Sequence, residues 1–315
     1  MALGLVGLAV AAVILVLAVG VGGPTAQAVY DEEYVSGEGA EKVVVVPVEG
    51  IIAPAASSVG GIQPTATPEG LSDALRQAAD DPSVQAVVLE VNTPGGGVVA
   101  SDQMHQSILD FKRNTKMPVV VSMGTTAASG GYYISTAADR IVANEATITG
   151  SLGVVVPLRN FSEASEKYGI TQKYIKSGEF KTMGSPWNEL TPEEREIFQS
   201  IVDQDYAEFV DVISEGRGLS EERVREIADG RWYSGSQARE LGLVDSFGGI
   251  DEAAAIAAER AGATETTVVR YVETPSFSET LLARLAPSEP EVEQVMDAAG
   301  LNLEPTPYYL YIPGA

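Results

Sequence analysis

The chain has 315 residues, 45% of them hydrophobic, with 44 acidic side chains against 20 basic ones, no Cys and a single His, His105. Without Cys there is no disulfide framework, thiol nucleophile or thiolate metal site, and one His leaves too little for zinc, so no metal or cofactor is expected. A net charge of -24 with no basic patch excludes binding to a nucleic-acid backbone, and the spread of acid along the chain resembles the surfaces of proteins from salt-saturated media, which points to a halophilic source.

Residues 2–23, ALGLVGLAVAAVILVLAVGVGG, form an uncharged apolar run. It is long enough to cross a hydrocarbon core of about 30 Å at about 1.5 Å per residue. Residues 1–28 are therefore expected to be a transmembrane anchor, with cleavage as a signal sequence left open by the small-x-small pattern Ala26-Gln27-Ala28. No Lys or Arg precedes the run, so charge leaves its orientation open. A polar, Gly-containing linker is expected over 29–41.

KVVVVPVEGII (42–52) is a β-branched run that predicts a buried strand. Residues 53–68, rich in Ala, Ser, Gly and Pro, predict a loop. A helix over 69–80, the strand VQAVVLEV (84–91), the turn NTPGGG (92–97) and a helix over 98–113 follow. Next come the strand PVVVSMG (118–124), a helix start within TTAASGGYYISTAAD (125–139), a short helix around 160–168 and the strand TQKYIKSG (171–178). Strand–helix–strand repetition with near-continuous Val and Ile strands predicts an α/β domain with a buried, largely parallel sheet.

Thr191 with Glu194 makes a capping box and Pro192 takes the first helical position, so a long helix is expected as far as Gly216 and Gly218. Helices over 220–230, 234–245 and 251–263 follow, with one short strand among them. The stretch 264–315 has its own strand, TVVRYV (267–272), and ends in PYYLYIPGA, an apolar tail on an acidic chain. That tail reads either as an edge strand on the domain or as an interface or self-occluding segment.

Two Gly-rich turns stand at strand ends, Pro94-Gly95-Gly96-Gly97 and Ala127-Ala128-Ser129-Gly130-Gly131. In α/β sheets ligands gather at the carboxyl ends of strands, and glycine lets backbone N–H groups come close to a substrate. Such turns can build an oxyanion hole or serve as plain structural loops; neither fits the P-loop pattern. Ser129 sits where a strand gives way to a helix start, a place that suits a nucleophile and equally a helix cap. A serine nucleophile needs a base. His105 lies in SDQMHQSILD (101–110), whose helical spacing favours a packing or surface role. A Lys can serve as base when burial brings its pKa from about 10.4 toward 7 or 8. Lys181, in the Gly-containing segment IKSGEFKTMGSP, is the candidate, with an ordinary surface role as the alternative.

The strings VNTPGGGVVASDQMH, VSMGTTAASGGYYISTAADRIVANEATITGSLGV, IKSGEFKTMGSP and DVISEGRGLSEERVREIADGRWYSGSQARELGLVD lie within the stretch from Val84 to about Ala263. In that order they resemble the signal peptide peptidase A family of membrane-anchored Ser-Lys proteases. The resemblance implies a Clp protease/crotonase-like layered parallel sheet with flanking helices, preceded by one N-terminal transmembrane helix. It implies a peptidase domain over 42–263 and a C-terminal extension over 264–315. It places the nucleophile on Ser129, the general base on Lys181, oxyanion donors on Gly96 and Gly130, and a lysine-orienting hydroxyl on Ser151.

The resemblance further implies an oligomer that shares its active sites between protomers and is held in the cell membrane by a single span. Its catalytic domain would lie outside the cytoplasm, acting on signal peptides and other apolar, unfolded segments. With the acidic surface, it points to a halophilic archaeon. Two other readings stay open: a related Ser-Lys protease cutting one specific membrane protein, and a crotonase-like thioester enzyme or an inactive scaffold. Departures from the family pattern are the N-terminus without a basic flank and the acidic C-terminal extension.

Overall fold

The structure, a computed structural model, describes residues 30–54 and 65–273 and the backbone of 308–310. The expected anchor at 1–28 and most of the C-terminal extension lie outside the described residues. In chain order the elements are β1 (Tyr30–Ser36), β2 (Glu41–Glu49), β3 (Ile51–Ile52), β4 (Thr65–Ala66), α1 (Pro68–Asp80), β5 (Val84–Thr93) and β6 (Gly95–Gly97). They continue with α2 (Val98–Thr115), β7 (Val119–Ala128), α3 (Gly130–Ser135), β8 (Arg140–Ala143), β9 (Ile148–Gly150) and α4 (Ser162–Tyr168). A 3-10 turn at Glu179–Thr182 is followed by α5 (Pro192–Arg217), α6 (Glu221–Ile227), β10 (Trp232–Ser234) and α7 (Gly235–Glu240). Last come β11 (Ser246–Phe247), α8 (Ile250–Ala261), β12 (Thr266–Glu273) and β13 (Tyr308–Leu310).

The Val- and Ile-rich runs occupy the middle of one sheet because both of its faces are covered, so neither side of these strands needs polar residues. Its order is β1-β12-β2-β5-β7-β8-β11, with β9 beside β7 and β10 beside β9. On one face Leu71 and Leu75 of α1, Met104 and Ile108 of α2 and Phe209 and Ile213 of α5 pack over Val44, Leu89 and Val121. On the other, α8 lays Ala253, Ala254, Ala257 and Ala258 against Val43, Val88 and Val120. Small side chains there let the helix approach the sheet closely. The capping box at Thr191 forms as expected, Thr191 Oγ1 accepting from Glu194 N–H and the Glu194 carboxylate from Thr191 N–H.

The fold departs from the sequence reading in several places. The expected linker contains β1, which pairs antiparallel with β12 from Tyr30↔Glu273 to Ser36↔Val268. The sheet does not stop at residue 263, since β12 runs parallel to β2 and stands between β1 and β2. The sheet is accordingly mixed: β1·β12 and β9·β10 are antiparallel, the remaining pairings parallel. Finally, TQKYIKSG (171–178) is not a strand but exposed coil, with Tyr174 and Ile175 open to solvent. A strand needs a neighbour for its N–H and C=O groups, and no described strand pairs with the segment. Among the described residues, no helix is long and apolar enough to cross a membrane.

Candidate active site

Strands β7 and β9 run parallel and pair as far as Ala128↔Gly150. The next residue on each strand is a serine. Ser129 and Ser151 thus leave the sheet side by side, and both have left-handed backbones, with φ of 53° and 51°. Apart from Lys116, at the end of α2, they are the only non-glycine residues with positive φ among those described. Such a conformation costs on the order of 1–3 kcal/mol per residue and persists where the surroundings enforce it. Here the enforcement is visible: Ser129 N–H donates to the Gly150 carbonyl at 2.8 Å, Tyr133 N–H donates to the Ser129 carbonyl at 2.9 Å, and Ser151 N–H donates to the Arg231 carbonyl at 2.8 Å.

This sharp strand-to-helix turn holds Ser129 at 1% exposure. Its Oγ has no hydrogen-bond partner among the described residues, which is unusual for a buried hydroxyl.

The two glycine-rich turns meet at Ser129. Gly130 opens α3, and a Cβ placed on it would lie 2.5 Å from Ser101 Oγ, 3.2 Å from the Gly96 nitrogen and 3.3 Å from Gly95 Cα. Gly96 is equally crowded, since a Cβ there would collide with the Ile52 carbonyl of the adjacent strand. Close backbone approach, and not flexibility, is what requires glycine at both positions. The turn is braced from beneath by Thr93, fully buried, whose hydroxyl accepts from Gly95 N–H at 3.0 Å.

Residues 95–97, expected as a turn, form strand β6 of a second small sheet ordered β13-β6-β3-β4. The C-terminal strand β13 lies antiparallel along β6, Tyr308 opposite Gly97, Tyr309 opposite Gly96 and Leu310 opposite Gly95. The tail is thus an edge strand, and the strand it pairs with carries Gly96.

Lys181 makes no hydrogen bond to this cluster. It sits in the exposed 3-10 turn, and its amine has no side-chain hydrogen bond or ion pair among the described residues. The structure thus brings Ser129, Gly96, Gly130 and Ser151 together, with no hydrogen bond between Lys181 and Ser129. His105 behaves as packing. It is buried on α2, its ring meets Tyr133 edge-on at 5.2 Å between centroids, and burial pushes its pKa down to about 4.

The sequence reading missed Thr93 and Ser101. Thr93 could have been found as the hydroxyl two residues before Gly95, a common way to brace a turn. Ser101, fully buried and without a partner for its Oγ among the described residues, carries no local signal inside a helical pattern. Beside Ser151 opens a cavity of about 350 Å³, bounded by Leu152–Val155, by Val202, Asp203 and Tyr206 of α5, and by Ala228–Gly230. No cluster of His, Asp or Glu among the described residues is arranged to hold a metal ion.

A family profile described as Peptidase family S49 matches residues 111–264. A putative signal peptide peptidase SppA from Enterococcus faecium is 34% identical over 290 residues, covering 89% of this chain and 84% of that protein. A putative protease from Synechocystis is 36% identical over 244 residues, covering 78% of this chain and 86% of its own length. Protease 4 of Haemophilus influenzae is 35% identical over 238 residues, which is 76% of this chain but 38% of that longer protein. Among solved structures, a ClpP1 point mutant from Listeria monocytogenes is similar over 67% of this chain and 94% of its own, at 19% identity and a TM-score of 0.43.

Proposed function

The chain belongs to peptidase family S49 and is a serine peptidase, and from that premise we propose that it is a membrane-bound Ser-Lys endopeptidase that degrades cleaved signal peptides and other apolar peptides. The observation that carries this reading is the convergence at Ser129. A buried, unpartnered hydroxyl on an enforced left-handed turn is surrounded by the two glycine turns and by Ser151. That is an arrangement for acyl transfer.

In the proposed reaction neutral Lys181 accepts the Ser129 proton as Oγ attacks the scissile carbonyl carbon. The Gly96 and Gly130 amides donate to the resulting oxyanion. Collapse of the intermediate breaks the C–N bond, and protonated Lys181 returns its proton to the leaving amine. Water, deprotonated by the same lysine, then attacks the acyl-serine and releases the carboxylate product. Ser151 orients the lysine amine. One oxyanion donor is worth about 2.7–4 kcal/mol of transition-state stabilisation in comparable sites.

Lys181 is supplied by a neighbouring copy of the chain in a closed oligomer. In support, the amine has no partner of its own, while the surrounding segment exposes Tyr168, Ile170, Ile175 and Phe180. The antiparallel seat of β13 on β6 supports an extended peptide as substrate, because added strands gain affinity from main-chain hydrogen bonds and so tolerate varied sequences. Membrane attachment rests on the apolar run 2–23, with the catalytic domain outside the cytoplasm.

A fluorophosphonate probe tests the nucleophile. Peptide mapping is expected to find the label on Ser129 and to lose it in Lys181→Ala; labelling of a different serine would contradict the assignment. Product mapping on signal peptides and on intact membrane proteins separates this reading from a protease dedicated to one membrane protein.

A further inference from the structure

We propose that the cavity beside Ser151 is the seat for Phe180 of a neighbouring copy of the chain, and that this contact delivers the adjacent Lys181 to Ser129. The inference rests on the reading above that Ser129 and Lys181 of different copies act together, and adds how the two are brought into register.

Three observations carry it. The first is the cavity itself. Its volume is about 350 Å³, and its lining includes Leu152, Val154, Val202, Tyr206, Ala228 and Ser151. The wall is fixed in place: Tyr206 OH donates to the Ala228 carbonyl at 2.9 Å, and Gly230 N–H donates to the Leu152 carbonyl at 3.1 Å. An apolar, pre-formed recess of this kind suits an aromatic ring.

The second is Phe180. It is 46% exposed and directly precedes Lys181 in the exposed 3-10 turn. Within the chain it is not part of the cavity wall. Ile175, Ile170 and Tyr168, from the same stretch, are exposed as well. Exposed apolar residues grouped in this way mark a surface that meets another protein, above all on a chain whose net charge is -24.

The third is charge. Residues 167–181 hold Lys167, Lys173, Lys176 and Lys181, four of the seven lysines, with Glu179 as their only acid. The cavity lining includes Asp203 and Asp229. Asp229 is paired with Arg231, whereas Asp203 accepts a hydrogen bond only from the neutral Gln199 among the described residues. A basic segment therefore faces an acidic lining when one copy meets the next, which favours this pairing and fixes its register. Because the surfaces differ, the contact is heterologous and repeats around a ring. Ser151 lines the cavity and stands next to Ser129, so a phenyl ring seated in the cavity brings the following lysine to the nucleophile.

The test uses mixed assemblies of the full chain, co-expressed in pairs and assayed on a fluorogenic apolar peptide. Ser129→Ala and Lys181→Ala chains, each inactive alone, are expected to regain partial activity together, the first donating the lysine and the second the serine. Adding Phe180→Ala to the Ser129→Ala chain is expected to abolish that rescue; on the Lys181→Ala chain it is expected to leave the rescue intact. Val202→Trp, which fills the cavity from a partly exposed helix position, is expected to show the reverse dependence on chain. Rescue that responds to neither placement would overturn the seat while leaving the shared site standing. Absence of rescue in the parent pair would overturn the shared site, and the seat with it.

Discussion

Ser129 combines burial, an unpartnered hydroxyl and a φ of 53°. A glycine would adopt that backbone without strain, so the serine costs stability that only function explains. Replacing it with glycine is therefore expected to abolish activity and to raise unfolding free energy by about 1 kcal/mol in chemical denaturation. Loss of stability on that substitution would mean that the turn is not strained. The single histidine gives a second prediction. Folded His105 titrates near 4, whereas the unfolded chain protonates it near 6.5, so the unfolded state binds the extra proton as pH falls. Stability is then full above about pH 6.5 and declines toward pH 4, by about 2 kcal/mol at pH 5. His105→Gln is expected to remove that slope in denaturation curves compared between pH 7 and pH 5; an unchanged slope would place the titration elsewhere.

Among the elements, those that bury a face were legible. The strands at 84–91 and 118–124 and the helix opened by Thr191 were readable because Val runs and a capping box report local physics. The exceptions depend on partners distant in sequence. Residues 30–36 are polar and become a strand through pairing with β12, from the far end of the domain. Residues 171–178 have strand-like composition but find no sheet neighbour. The site divides in the same way: Ser129, Gly96, Gly130 and Thr93 stand at or beside strand ends where residue type marks candidates, while Ser101 matters only once α2, β6 and α3 are packed together. Strand β13 carries a prediction at this scale. Since it pairs along Gly95–Gly97, deleting 307–315 is expected to raise the initial rate of peptide hydrolysis several-fold. Unchanged rate and assembly after the deletion would show that the tail does not occupy the groove.

Considered whole, the molecule is an acidic shell around an apolar α/β core. A net charge of -24 repels itself unless counterions screen it, and screening lengths shrink from about 10 Å at 0.1 M salt to about 3 Å at 1 M. Thermal unfolding is expected at markedly higher temperature in molar salt than in dilute buffer; a salt-independent midpoint would argue against a halophilic source. The segment at 167–181 departs from that shell, being basic and exposing Tyr168, Ile170, Ile175 and Phe180, so the assembly and the shared active site proposed above bear on the same surface. The most direct measurement of the central claim is hydrolysis of an apolar fluorogenic peptide in high salt by the wild type, Ser129→Ala and Lys181→Ala, with folding and assembly checked for each. The account predicts that both variants fold and assemble like the wild type and lose activity by at least about 10³-fold; activity surviving in both would contradict the Ser-Lys mechanism.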